Sequence, residues 1–245
     1  MNQREAVIKT METNGGFATL GYLNQNVLKV EDCKWMTKTP FASIRRIVQN
    51  DKYFFKIKPG LWALKSYRDK LPREILESLE SPQDQILQQE FNHSYYQGLL
   101  VEVGNLKKYE TFIPSQDKNK SFLNGKLGDI AAIDTIYRFS FDETINRART
   151  IDVIWFNIRK MPAKLFEVEH STDIYNSLLK FVELQDFYSD YYIVADIHRH
   201  QEYNKKLTLD AFRPIEKRVK FLSYDDLSAL HTKTFEAIAI EERVF

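Results

Sequence analysis

The residues with the most chemical promise lie in two apolar runs about fifteen positions apart, Ile151-Asp152-Val153-Ile154-Trp155-Phe156 and Leu165-Phe166-Glu167-Val168-Glu169-His170. Each consists of strand-forming residues interrupted by acids. Alternate side chains of a β-strand share a face, so Glu167 and Glu169 point the same way, roughly 6–7 Å apart, with Val168 opposite. If Arg159-Lys160 forms the tip of a hairpin, Asp152 falls across from Glu167 and three carboxylates converge. Carboxylates grouped in this way repel one another and are costly to desolvate unless a positive charge joins them. A hard divalent cation, Mg²⁺ most naturally, meets that need. An alternating Glu-Val-Glu also suits the wet face of an antiparallel sheet, so spacing alone leaves both readings open.

The whole chain sets the bounds. Its 245 residues, 43% hydrophobic and 13% aromatic, give one large domain or two smaller ones with ample core. A net charge of +1 says nothing about partners, so local segregation of charge has to be read instead. The single cysteine, Cys33, excludes an internal disulfide framework and Cys-rich zinc sites, and fits a reducing cytoplasm. No apolar stretch approaches the length of a membrane span and the N-terminus lacks a signal-peptide core, so a soluble cytoplasmic protein is expected. No Gly-rich phosphate loop is present to suggest ATP dependence.

Residues 1–68 read as a self-contained pattern. A helix from Glu5 to Glu12, with Ala6, Val7, Ile8 and Met11 on its apolar side, is closed by Gly15-Gly16. A second helical stretch follows around Leu20 to Leu28. Thr39-Pro40 opens a third, with Ala42, Ile44, Ile47 and Val48 as its buried stripe. Tyr53 to Ile57 and Leu61 to Leu64 are short strands joined by Lys58-Pro59-Gly60. Helices followed by a β-hairpin are the order of a winged helix-turn-helix. Between Lys38 and Arg73 stand ten basic residues and two acidic ones, within a chain that as a whole is nearly neutral. Arg45, Arg46 and Gln49 fall on the third helix, where a recognition helix presents side chains to a major groove. Lys52, Lys56 and Lys58 decorate the wing, suited to phosphate contact.

Residues 69–82, with Leu71-Pro72 and Ser81-Pro82, read as the connector to a second domain at 83–245. That domain opens with a helix from Gln83 to Val103, stopped by Gly104-Asn105. A strand spans Tyr109 to Ile113, and the polar stretch Ser115 to Gly128 reads as a mobile loop. After the acidic strands, Ser171 or Thr172 caps a helix carrying Ile174, Leu178, Phe181 and Val182. Tyr192 to Ala195 has the continuous apolar character of a buried central strand. Arg218 to Leu222 is another strand, and Ser223-Tyr224-Asp225-Asp226 opens a last helix. The acids Asp129 and Asp134 lack a comparable strand context, and His198 and His200 lack a third ligand for zinc.

Helix, strand, acidic strand, Glu-x-Glu strand, helix, strand: this order resembles the PD-(D/E)XK nuclease core, over about residues 83–230. The resemblance places the family's first acid at Asp152, with Ile151 for the nominal Pro. It places the (D/E)-X-K element at Glu167-Val168-Glu169, with Glu169 where Lys is usual. The acid that many members carry on the helix before the sheet corresponds to Glu102, with Gln97 nearby. The N-terminal segment resembles HARE-type winged helix domains in Tyr53-Phe54 and Gly60-Leu61-Trp62-Ala63-Leu64. Together these imply a mixed α/β protein in which a winged helix is joined to a restriction-endonuclease-like core. Its implied activity is that of a Mg²⁺-dependent endodeoxyribonuclease of type II restriction character, with Asp152, Glu167 and Glu169 as metal ligands and Glu102 as a further catalytic residue. Implied partners are double-stranded DNA, a second copy in a homodimer, and a cognate methyltransferase of the same system. His170 faces away from the Glu pair on this reading and serves structure. A non-catalytic DNA-binding regulator using the nuclease-like domain for dimerisation, or an RNA-directed nuclease, are the alternatives.

Overall fold

The structure is a computed structural model describing residues 1–80, 85–171 and 173–244, with side chains at all of these except 77, 78, 80 and 85–88. The expected Ser81-Pro82 connector and the candidate cap Thr172 lie outside the described residues. The chain forms two compact units, Met1–Gln88 with Ser228–Phe245, and Gln89–Leu227. Among the described residues, no helix is long and apolar enough to cross a membrane.

The first unit begins with α1 (Gln3–Thr13), whose start is fixed by a reciprocal cap: Glu5 N donates to Asn2 Oδ1 and Asn2 N donates to Glu5 Oε2. Then come β1 (Phe17–Thr19), α2 (Leu20–Asn26), α3 (Pro40–Val48), β2 (Phe54–Lys58), β3 (Leu61–Leu64) and α4 (Arg73–Glu80). The three strands pair antiparallel in the order β1-β3-β2. Strand β1 is a departure from the sequence reading, which passes straight from Gly15-Gly16 to a helix. Gly16 explains it: at φ +88° its N–H closes on Met11 O and its carbonyl accepts from Leu64 N, turning the chain into the sheet. The stripe of α3 also differs, because Ala42 is exposed and Phe41 is buried beside Ile44 and Val48. The connector is helical in part, with Leu71 and Ile75 buried.

The second unit comprises α5 (Gln85–Leu106) from Gln89 onward, β4 (Glu110–Phe112), β5 (Ser121–Phe122), β6 (Gly125–Lys126), α6 (Leu127–Ile130) and α7 (Asp142–Ala148). It continues with β7 (Val153–Phe156), β8 (Pro162–Glu169), α8 (Ile174–Val182), β9 (Asp190–Ala195), α9 (His200–Leu207) and β10 (Val219–Ser223). The last helix, α10 (Tyr224–Val244), begins in this unit and continues into the first, so the C-terminal helix does not belong wholly to the second domain. Its start is capped by Ser223, whose Oγ accepts from Asp226 N. The sheet runs β10-β9-β8-β7-β4, antiparallel across β4-β7-β8 and parallel across β8-β9-β10. This is the mixed central sheet flanked by helices that the sequence pattern implies.

Strand β8 is central, and its two faces meet different helices. Leu165 packs in one cluster with Ile154, Ile193 and the α8 residues Ile174, Leu178 and Phe181. Phe166 lies on the other face, 4.8 Å from the Trp155 ring and 4.8 Å from the Tyr192 ring. Helix α5 packs on that second face. It runs through Gly104 rather than stopping there, because a Cβ at Gly104 would come within 2.5 Å of Thr111 Cγ2 and 2.7 Å of Trp155 Nε1. The residue marks a close helix–sheet approach, and the positive φ after the helix falls at Lys108 instead. Ser115 to Gly128 is likewise not a loose loop. It holds the β5–β6 hairpin, with Asp117, Phe122 and Leu127 buried. Helix α8 is capped by Asp173, which accepts from Tyr175 N, rather than by Ser171.

Candidate metal centre at the end of the sheet

The hairpin β7–β8 has the register Val153 to Phe166, which brings Asp152, one residue before β7, alongside Glu167. Asp152 Oδ2 accepts from Val168 N at 2.7 Å, so the backbone of the neighbouring strand fixes its carboxylate. Glu167 and Glu169 share the face covered by α8 and are only 2% and 4% exposed. Helix α8 meets them with two polar side chains one turn apart. Ser177 Oγ donates to Glu169 Oε1 and lies 3.2 Å from Glu167 Oε2. Lys180 Nζ donates to Glu167 Oε2 at 2.7 Å and to Thr150 O at 3.0 Å.

On the α5 side, His93 Nε2 stands 3.5 Å from Asp152 Oδ1. Gln97, one turn on, donates from Nε2 to Asp117 Oδ2 at 2.8 Å and to Asp152 O at 3.2 Å. Asp117 is 3% exposed and pairs with Lys120 at 2.6 Å. A cleft of about 170 Å³ beside this group is lined by Gln89, Glu90, His93, Lys120, His170 and Ser171.

The electrostatics separate the two facing acids. Burial pushes Asp152 up, but the charge and hydrogen bond of His93, the Val168 N–H and the charge of Lys180 outweigh it and hold the carboxyl below its ordinary range. Burial pushes Glu167 well above its ordinary value, the charge of Asp152 adds to this, and Lys180 offsets only part of it. Lys180 is itself lowered by burial and raised by Glu167, Asp152 and Glu169, with a net rise. Burial opposes the charge on His93 also, yet Asp152 carries its value above the ordinary one. The surroundings thus favour the charged form of Asp152 and work against the charged form of Glu167. Among the described residues, Glu167 Oε1 is buried with no hydrogen-bond partner. An acid oxygen left bare beside a second acid fits a cation ligand, and the oxygen-rich set Asp152, Glu167 and Glu169 fits a hard ion.

Glu102 is not brought into this group. On an α-helix it is rotated about 180° from His93 and about 140° from Gln97, the two α5 residues that face Asp152. Its charge bears on Tyr95. Asp129 caps α6 by accepting from Lys126 N, and Asp134 is an exposed partner of Lys118. His198 and His200 lie on a single 3₁₀ turn and at the start of α9, not on a strand edge. In the first unit, Arg46, Gln49, Lys52 and Lys56 are exposed. Arg45 is half-buried and 3.6 Å from Glu236, and burial lowers the Lys58 ammonium.

Reading the sequence missed His93, Asp117, Ser177 and Lys180. The absence of Lys at position 169 was itself a signal to look for one elsewhere. Ser177 and Lys180 share a face of a largely apolar helix, and His93 sits four residues before Gln97.

A five-stranded mixed sheet with buried acids on a central hairpin and a lysine supplied by the following helix defines a compact acid-and-ammonium centre in a helix-flanked core. The chain matches the family model described as the type II restriction enzyme NmeDI C-terminal domain over residues 69–242, and it belongs to that family. It is similar to the type II restriction enzyme NmeDI of Neisseria meningitidis serogroup C, at 25% identity over 150 residues. The alignment covers 57% of this chain and 42% of that protein, so the chain spans less than half the length of the curated relative it matches. No solved structure matches.

The raised Glu167 predicts a pH signature. A raised native value contributes stability that is complete below the ordinary Glu range and is lost as pH rises through the raised value. His93, also raised, acts in the same direction above the ordinary His range. Metal-free protein should therefore lose stability in denaturant titrations as pH rises above the ordinary Glu range, by up to about 1.4 kcal/mol per pH unit for each proton retained. Glu167→Gln should flatten that slope. An unchanged slope in the variant would show that Glu167 does not hold the proton.

Proposed function

We propose that this chain is a restriction-type endonuclease that hydrolyses phosphodiester bonds of double-stranded DNA with the help of Mg²⁺. The observation that carries this reading is the buried Glu167 oxygen, without a hydrogen-bond partner among the described residues, beside Asp152. Membership of a type II restriction enzyme family supports it. Asp152 and Glu167 would hold the ion, with Glu169 fixed by Ser177 at its side. A bound Mg²⁺ would polarise the phosphoryl group, ease deprotonation of water and offset charge on the leaving oxygen. The Val168 N–H holds Asp152 in place, and Ser177 holds Glu169, so the ligands are positioned before substrate arrives. Lys180 takes the part of the ammonium that a (D/E)-X-K element carries two residues after its acid. From α8 it reaches Glu167 and lends positive charge to the reacting phosphate.

We assign DNA reading to the first unit as a winged helix. Its order of helix, strand, two helices and a β-hairpin supports this, as does the exposure of Arg46 and Gln49 on or just after α3 and of Lys52 and Lys56 around β2. Arg45 and Lys58 contribute less, the first because Glu236 engages it and the second because it is partly buried. Cutting both strands takes two such centres, which a homodimer would supply. A methyltransferase protecting host DNA would complete the system.

Purified protein incubated with unmodified and methylated DNA should cut only with Mg²⁺ present. Asp152→Ala and Glu167→Ala should each lower the rate by several orders of magnitude while DNA binding persists, and Lys180→Met should lower it at least a hundredfold. Cleavage by Asp152→Ala at the wild-type rate would refute the centre. In gel-shift titrations, Arg46→Ala should weaken binding tenfold or more and relax sequence preference if Arg46 reaches a base edge, an interaction of about 1–3 kcal/mol. Lys56→Ala should weaken all sequences alike and reduce the salt slope by about one. Equal salt slopes for wild type and Lys56→Ala would remove Lys56 from the phosphate contacts.

A further inference from the structure

Asp152 reaches a second group of metal-ligating side chains, separate from the Glu167 side. One ligand atom each from His93, Asp117 and Asp152 lie within 4.8 Å of one another. His93 Nε2 and Asp152 Oδ1 are 3.5 Å apart. A tetrahedral centre with bonds of about 2.1 Å spaces its ligand atoms about 3.4 Å apart, so this pair already stands at a coordination edge. Asp117 needs only a side-chain adjustment to complete a three-ligand set.

Gln97 supplies the independent observation. It is wholly buried, and its amide lies against Asp117 Oδ2 and the Asp152 carbonyl, yet its Oε1 has no hydrogen-bond partner. Turning the amide over would set that oxygen against Asp117, an arrangement favourable only with a cation between them. Lys120, at 2.6 Å from Asp117 Oδ1, supplies the local positive charge and is 36% exposed in its side chain. A divalent ion would replace a flexible lysine that can swing into solvent.

We propose that His93, Asp117 and Asp152, joined by Gln97 Oε1 when the amide turns over, form a second divalent-cation site that takes a transition ion such as Mn²⁺ or Zn²⁺ in preference to Mg²⁺. The imidazole sets that preference, because nitrogen ligands favour transition ions over hard Mg²⁺. The site does not depend on the cleavage reading, since ion binding alone defines it.

The test uses the full chain, stripped of metal and titrated with Mn²⁺, with pulsed electron paramagnetic resonance to detect coupling to an imidazole nitrogen. Wild type should show that coupling. His93→Ala should abolish it and weaken Mn²⁺ binding tenfold or more. Asp117→Asn, which keeps the side-chain shape, should weaken binding similarly, and Lys120→Met should tighten it severalfold by freeing Asp117. Glu167→Gln should retain the nitrogen coupling, which separates this site from the proposed catalytic one. A wild-type spectrum without nitrogen coupling, or Mn²⁺ affinity unchanged in both His93→Ala and Asp117→Asn, would overturn the proposal, whatever the outcome of DNA cleavage assays.

Discussion

The organising constraint in the second unit is the burial of several carboxylates close together. Asp152, Glu167 and Glu169 converge at the end of one sheet, and from α8 the Lys180 ammonium meets Glu167. Two like charges about 4 Å apart repel by about 4 kcal/mol at an effective dielectric near 20, a large part of a typical domain's net stability. The two acids are pushed in opposite directions: burial and the Asp152 charge raise Glu167, while His93, the Val168 N–H and Lys180 hold Asp152 down.

The rest of the unit serves this geometry. Strand β8 must be central so that Glu167 and Glu169 leave water, and β7 must pair with it in the observed register so that Asp152 arrives alongside. Helix α8 covers one face with apolar residues and carries Ser177 and Lys180 to the acids. Helix α5 covers the other face closely enough to exclude a side chain at Gly104, and so brings His93 and Gln97 to Asp152. The β5–β6 hairpin packs Phe122 against Gly98, where an added Cβ would meet the ring at 2.1 Å. The same segment carries Asp117 to Gln97.

Local pattern made much of this legible. The acidic strands, the helix after them and the parallel strand that follows all show in periodicity, because each buries its own apolar stripe. What the sequence hides is convergence between elements. Lys180 and Glu167 are thirteen residues apart on different elements, and no local rule couples them. Asp117 sits among lysines and polar residues, so its stretch reads as a solvated loop, although Phe122 and Leu127 anchor it. Gly104 looks like a helix stop because glycine commonly is one, whereas here packing against Trp155 decides. Strand β1 escaped notice for being three residues long, and the return of α10 to the first unit is a matter of tertiary packing alone.

The central claim is that Glu167 keeps a proton until a cation takes its place. Calorimetric titration of Mg²⁺ into metal-free protein, repeated at one pH just above the ordinary carboxylate range in buffers of different ionisation heat, counts protons released on binding. The account predicts about one proton released per ion by wild type and close to none by Glu167→Gln. Binding without proton release in wild type, or equal release by both proteins, would contradict it.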